Sequence, residues 1–320
     1  MEYRKITGLD KEASRIVFGT TDFTEYNENV SSLLDEILSL GVNFLDTARV
    51  YGGGKTEGVL GQYMEAKKNR SDIILLTKGA HFDFETLENR VTKADILYDI
   101  DVSLDQLRTT YADIYLLHRD DTTIHVGEIM EAMQEIIESK KAKVIGVSNW
   151  TIPRIEEANA YAKSHGLTPF TVSSPNFGLA EQLTDLWGAG CVTISGPDNK
   201  ENREWYEANQ MPVVAYSSLG RGMFTGKVKS TEPERIGEFM EQISIEAYGG
   251  ADNFKRLARC EELAAQKGVS VAQIAMSWLL HQKVNTFAVV STTKASRMAS
   301  NIEALDIALN ESELAYLDLK

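Results

Sequence analysis

Short apolar runs recur along the chain, and between them apolar residues return every three or four positions. The runs fall at residues 15–18, 42–45, 73–77, 111–117, 144–147, 170–174, 213–217 and 285–290, each of strand length. Residues 27–40 place Leu33, Ile37 and Leu40 on one helical face, with Gly41 as a stop. Leu97, Ile100, Leu104 and Leu107 stripe a second helix, and Ile129, Met133, Ile136 and Ile137 a third. Residues 56–64 suit a short helix, Pro153 fits the first turn of one running to about residue 163, and residues 311–319 read as another. Strands alternating with amphipathic helices predict a parallel α/β architecture, and spacing alone leaves a barrel and a doubly wound sheet both open. No Gly-x-Gly-x-x-Gly follows an early strand, which counts against the doubly wound option. Two apolar pieces around Gly8 and Asp10 predict a hairpin ahead of the first strand. Residues 222–250, interrupted by Thr231-Glu232-Pro233-Glu234, have no period and read as a functional loop. Without repeats or low-complexity tracts, residues 1–320 are expected to form one domain.

The composition, 43% hydrophobic and 25% charged over 320 residues, is that of an ordinary globular protein. A formal charge of −14 argues against nucleic-acid or anionic-membrane partners, which need a cationic surface. It leaves room for a phosphorylated cofactor, which needs only a few local cations. Cys191 and Cys260 offer neither a framework of bridges nor metal-ligand spacing, so no metal is expected. The stretch Met1-Glu2-Tyr3-Arg4-Lys5 lacks an apolar signal region, and no run approaches the roughly 20 apolar residues of a membrane span. A cytoplasmic location is expected. Nothing in the sequence sets an oligomeric state.

Candidate chemistry lies where the apolar runs stop. The run at 42–45 ends on Asp46, that at 73–77 on Lys78, that at 111–117 on His118, and that at 144–147 on Ser148-Asn149. Gly52-Gly53-Gly54 breaks the pattern after Asp46, which puts Tyr51 on a loop. If these strands are parallel neighbours, Asp46, Tyr51, Lys78 and His118 converge on one face. On the residues alone, a structural Asp46–Lys78 salt bridge at a rim is an equal alternative.

In this order and context the four residues resemble the tetrad of the aldo-keto reductases, an NADP-dependent (β/α)8-barrel (TIM barrel) family, and the similarity extends from Gly19-Thr20 to Arg297 and Asn301. The resemblance implies reduction of a carbonyl, with the hairpin closing the bottom of the barrel. Tyr51 is then the general acid, Lys78 the cation that lowers its pKa, Asp46 the carboxylate that holds Lys78, and His118 the group that orients the carbonyl. Ser148, Asn149 and Ser174 take positions at the nicotinamide carboxamide, although members often carry glutamine where Ser174 stands. Tyr216 matches the aromatic residue on which the nicotinamide stacks, and Ser217, Leu219 and Arg221 wrap the pyrophosphate. Ser291, Thr292, Arg297 and Asn301 match the adenosine end. NADPH/NADP is the implied cofactor; Ser291-Thr292 stands where some members use a Lys-Ser pair, which weakens the case for NADP and leaves NAD open, with Lys294 nearby. At the active face, Phe23, Arg119 and Trp150 are candidate substrate residues; for Arg119-Asp120-Asp121 a polar pocket mouth and solvated loop charges are both open, and small polar or sugar-like carbonyls are the expected substrates. His81, His125, His165 and His281 receive no role. Two rival functions stand beside this one. The first is a barrel lyase with Lys78 as a Schiff-base amine. The second is a nucleotide-sensing partner protein, as among the potassium-channel β subunits of the same family.

Overall fold

Eight parallel strands form the closed barrel of a (β/α)8 fold. The structure is a computed structural model and describes every residue except Ala189. The described residues divide into two compact units, one of residues 3–174 with 291–295, the other of residues 1–2, 175–290 and 296–320.

In the first unit a hairpin of β1 (Tyr3–Arg4) and β2 (Ala13–Ser14) precedes β3 (Ile16–Gly19), β4 (Phe44–Asp46), β5 (Ile74–Gly79), β6 (Ala112–Leu117), β7 (Ala142–Ser148) and β8 (Val172–Ser174). Helices α1 (Glu28–Ser39), α2 (Thr56–Lys67), α3 (Lys93–Gln106), α4 (Val126–Glu138) and α5 (Ile152–His165) fall between the strands. All of β5 and β6 is buried, as expected of strands covered on both faces, and this is why they read as continuous apolar runs. The helices start and stop where their chemistry dictates. Asn27 caps α1 by accepting from the Val30 N–H, Thr92 caps α3 from Asp95, and the His125 ring caps α4 from Gly127. Gly166, at φ 68°, ends α5 in a left-handed cap two residues later than expected.

Register decides where the chemistry emerges. Asp46 pairs with Leu76, Lys78 with Leu116, and Gly79 with Leu117, so the polar residues appear together at the C-terminal strand ends. The hairpin sits at the opposite ends. Ser14 N–H donates to Asn43 Oδ1 at 2.8 Å, Lys11 reaches the Ile73 carbonyl at 3.2 Å, and Gly8 abuts Val144. The expected hairpin therefore lies under the starts of β4, β5 and β7.

The second unit holds β9 (Val213–Ala215) and β10 (Thr286–Val290), paired in parallel from Val213↔Thr286 to Ala215↔Ala288. Its helices are α6 (Lys200–Asn209), α7 (Gln242–Tyr248), α8 (Ala251–Lys267), α9 (Val271–Leu280), α10 (Ala295–Glu303) and α11 (Glu311–Leu317). The first four and α10 are not anticipated from sequence. α6 buries only Tyr206 and α9 is buried all round, so neither carries a clean stripe. The stretch 222–250 is likewise part helical, with a 3-10 segment at Pro233–Glu238 ahead of α7. No helix among the described residues is long and apolar enough to cross a membrane.

Gly146 marks where strands approach too closely for a side chain, because a Cβ there would lie 2.1 Å from the Val172 carbonyl oxygen and 2.9 Å from Leu116. Gly146→Ala is expected to lower unfolding stability by about 1–3 kcal/mol. Denaturant titration checks this, and an unchanged midpoint would show that β7 and β8 can separate without cost.

Candidate active site

The chain leaves β4 still hydrogen-bonded to β5. Thr47 N–H donates to the Leu76 carbonyl at 2.9 Å, and Arg49 N–H to the Lys78 carbonyl at 3.0 Å. It then turns through Gly52 and Gly53, both left-handed, and a Cβ on Gly52 would come within 2.8 Å of the Phe23 carbonyl oxygen. That turn brings Tyr51 back over β5. On the other side, His118 N–H donates to the Gly79 carbonyl at 2.7 Å and carries the ladder one residue past β6.

Lys78 is the hub of the result. Its Nζ lies 2.6 Å from Asp46 Oδ1, 2.9 Å from the Thr47 carbonyl and 3.0 Å from the Tyr51 hydroxyl, a full set of acceptors for an ammonium's three hydrogens. Lys78 and Asp46 are buried, and Tyr51 is half-buried. The buried His118 ring stands edge-on to the Tyr51 ring, with centroids 5.8 Å apart. The four residues singled out in the sequence are thus assembled in one place.

Their electrostatics differ from the expectation in one respect. Burial pushes the Tyr51 phenol above its ordinary pKa, and the Lys78 ammonium, pulling downward as expected, does not overcome it. Burial likewise raises Asp46 against the opposing pull of Lys78. For Lys78 burial acts downward, but Asp46 and Tyr51 outweigh it and the net is upward, so the amine stays protonated. Burial, with Lys78, His81 and Arg119 adding to it, holds His118 well below the usual histidine range, so its imidazole is neutral.

Ser148, Asn149 and Ser174 adjoin this group. Ser148 Oγ donates to the Ser174 carbonyl at 2.8 Å, and Asn149, held left-handed at φ 60°, gives Nδ2 to Ser148 Oγ at 3.1 Å and to the His118 carbonyl at 3.3 Å. Also in the first unit, Ser291 Oγ donates to the Gly19 carbonyl at 2.8 Å, and Thr292 Oγ1 closes a turn with Lys294.

In the second unit the strand run stops at Ala215. Tyr216 forms an isolated bridge with Asn176, and Ser217 turns left-handed at φ 56°. Gly220, Arg221 and Gly222 are left-handed too, which curls the backbone around Leu219. Arg221 Nε donates to Ser244 Oγ at 3.0 Å. Arg297 is exposed in the first turn of α10, and Asn301 is buried on the same helix.

The expected substrate residues have these surroundings. Trp150 is buried and packs on Phe170, giving its indole N–H to the Arg119 carbonyl at 3.1 Å, so it supports Arg119 from beneath. Asp120 pairs with Arg154 at 3.2 Å, and Asp121 accepts from Thr123. Both carboxylates therefore have partners within the chain. Phe23 packs on Phe18 at 5.9 Å.

His81, given no role from sequence, stands beside His118 with ring centroids 4.8 Å apart. Left-handed Ala80, at φ 58°, turns the chain so that His81 faces the site, and Asp99 of α3 accepts the Ala80 N–H at 2.9 Å. Nothing local in Gly79-Ala80-His81 announces that turn. Burial lowers His81 to about 4.

Both histidines therefore stay neutral in the folded chain, while an unfolded chain takes up protons near pH 6.5. Between about pH 6.5 and 4 the unfolded form binds more protons, and stability falls as pH falls. His81→Gln is expected to flatten that dependence by up to about 1.4 kcal/mol per pH unit. Denaturant unfolding at pH 7, 6 and 5 measures it, and equal slopes would mean that His81 titrates normally in the folded chain.

The comparisons with known proteins agree with this geometry. The model of the "Aldo/keto reductase family" matches residues 15–320. Norsolorinic acid reductase of Aspergillus flavus is 27% identical over 297 residues, covering 90% of this chain and 70% of that protein. The aldo-keto reductase YhdN of Bacillus subtilis is 26% identical over 343 residues, covering 98% and 91%. The aryl-alcohol dehydrogenase [NADP(+)] of Phanerodontia chrysosporium is 25% identical over 315 residues, covering 89% and 74%. A family match that begins at the first barrel strand and runs to the last residue, over strand ends that gather a lysine, a carboxylate, a phenol and an imidazole, makes the chain a member of the aldo/keto reductase family, oxidoreductases that act on carbonyl compounds with nicotinamide cofactors.

Proposed function

We propose that the chain reduces aldehydes or ketones to alcohols with NADPH, Tyr51 acting as general acid, Lys78 and Asp46 supporting it, and His118 orienting the carbonyl. The observation that carries this reading is the Lys78 ammonium bridging Asp46 and the Tyr51 hydroxyl next to a neutral His118. When bound, the nicotinamide supplies hydride to the carbonyl carbon. Tyr51 gives its phenolic proton to the carbonyl oxygen, and the phenolate left behind is stabilised by Lys78 at 3.0 Å. Asp46 and the Thr47 carbonyl hold that ammonium in place. The neutral His118 ring has one N–H to donate, and its buried Nδ1 has no partner among the described residues, so the ring is not committed to the surrounding protein.

The residues suit the dinucleotide. Ser148, Asn149 and Ser174 offer amide and hydroxyl groups for the carboxamide, and Tyr216 offers a ring face to the nicotinamide. Left-handed Ser217 and Arg221, with Leu219 between them, supply backbone N–H groups and a cation for the pyrophosphate. Ser291, Thr292, Arg297 and Asn301 receive the adenosine end. The preference for NADP rests on α10. Its first turn has no acidic residue, and Lys294 and Arg297 beside it form no ion pair among the described residues, which suits a 2′-phosphate. The NADP(+)-dependent relative supports the same preference.

A Schiff-base mechanism on Lys78 needs an unpaired, neutral amine, whereas this amine is paired and protonated. A sensing role is separated from catalysis by turnover.

Tyr51→Phe is expected to lower NADPH-dependent carbonyl reduction at least about 100-fold while the dinucleotide still binds, because the phenol donates a proton and does not hold the cofactor. Steady-state rates with fluorescence titration of NADPH check both, and equal rates would remove Tyr51 from the mechanism. Arg297→Ala is expected to weaken NADPH about tenfold and NADH little, by loss of one charge-assisted contact. Equal losses for the two cofactors would place the 2′-phosphate elsewhere.

A further inference from the structure

The loop after β5 carries aromatic rings away from the candidate active site in an unbroken series. His118 meets His81 edge-on at 4.8 Å, and His81 meets Phe84 at 4.8 Å and Phe82 at 4.2 Å. Phe84 is 62% exposed at the loop tip, so the series begins at the reacting groups and ends in an uncovered ring. We propose that His81, Phe82 and Phe84 form a platform for an aromatic group on the carbonyl substrate, which selects aryl aldehydes and ketones over small polar or sugar-like ones. This rests on the carbonyl-reductase reading of the same site.

Three features support it. First, the three rings themselves carry no charge, and the Arg119 guanidinium lies over Phe82 at 5.8 Å from its centroid. The Phe82 carbonyl can only accept, so the 3.0 Å contact from His81 Nδ1 puts the proton on that nitrogen of a neutral ring, leaving the ring face for stacking. Second, the platform is built to stay in place. Asp99, buried on α3, accepts the Ala80 N–H at 2.9 Å at the start of the loop and takes Arg90 Nη2 at 2.9 Å at its end. Between these anchors, Asp83 Oδ1 accepts the N–H groups of Glu85 and Thr86, and the Asp83 and Leu87 backbones close a turn. An aromatic group landing on a fixed ring loses little to ordering the protein. Third, the two loop carboxylates that would read hydroxyls are engaged elsewhere, Asp120 with Arg154 and Asp121 with Thr123. His81, edge-on to His118 at 4.8 Å, puts the first ring of the platform beside the groups proposed to hold the carbonyl.

The test compares 2-naphthaldehyde with glyceraldehyde, using NADPH and the full chain, for the native protein and Phe84→Ala. The exposed position makes loss of fold an unsuitable explanation for any effect, and thermal unfolding of both forms verifies this. The expected result is a native kcat/KM at least about tenfold higher for the naphthaldehyde, a KM for it raised about tenfold in Phe84→Ala with little change in kcat, and a glyceraldehyde kcat/KM that moves less than about twofold. Phe84→Tyr is expected to behave as native. A native preference for glyceraldehyde, or a naphthaldehyde KM that ignores Phe84, would overturn the platform and leave the reductase reading standing. Equilibrium dialysis of 2-naphthalenemethanol needs no turnover. If no carbonyl is reduced, the reductase reading falls, and Phe84-dependent binding of the alcohol then supports the platform while its absence overturns it.

Discussion

The arrangement depends on one ammonium taken out of water. Lys78 is buried, and an ion in that position is tolerated only when every hydrogen finds an acceptor. Asp46, the Thr47 carbonyl and the Tyr51 hydroxyl are those acceptors, and each is supplied by the chain between β4 and α2. The charge therefore organises the segment around itself. Without the ammonium, Asp46 would be a buried carboxylate lacking its counter-ion; without Asp46, the ammonium would keep only a carbonyl and a phenol. A buried pair of this kind is weak as a source of stability and strong as a positioning device, since breaking it on one side costs about 3–5 kcal/mol.

A second constraint, in backbone hydrogen bonds, makes the first possible. The ladder between β4 and β5 continues past the end of β4 through Thr47 and Arg49, and that between β5 and β6 continues through His118. Side chains that alternate in direction along a strand are thus held at fixed heights after the regular strand has ended. Asp99 extends the same order outward, joining Ala80, Arg90 and Arg49, which lies 3.0 Å from it, to a single buried carboxylate. The loop bearing Tyr51 and the loop bearing His81 consequently share one anchor on α3.

This explains which parts of the molecule were legible in the sequence. Asp46, Lys78 and His118 were legible because a polar residue closing an apolar run has few places to go in a parallel sheet, and Tyr51 because three glycines follow it. The barrel strands were legible for the same reason of double coverage. His81 was not, since its approach to His118 depends on a left-handed alanine, which no local pattern announces. Nor was α9, whose burial on all sides erases the stripe by which a helix is recognised. The supports of Trp150 and Asp120 were not legible either, because sequence places a residue on a loop without showing what lies beneath it. In the structure, the Arg119 carbonyl and Arg154 lie there.

The misjudged direction of the Tyr51 pKa has the same origin and a chemical consequence. Sequence shows the cation beside the phenol but not the protein that surrounds both, and burial is the larger influence. A general acid, however, must carry its proton before the reaction begins, and a phenol held above its ordinary pKa is fully protonated at neutral pH. In the proposed reaction its ionisation is driven by the alkoxide forming as the carbonyl is reduced, a far stronger base than any group in the resting site. Lys78 then acts when it is needed, because its attraction is for the phenolate and grows as the proton leaves. Burial that disfavours phenolate at rest and a cation that favours it during transfer are therefore compatible parts of one device.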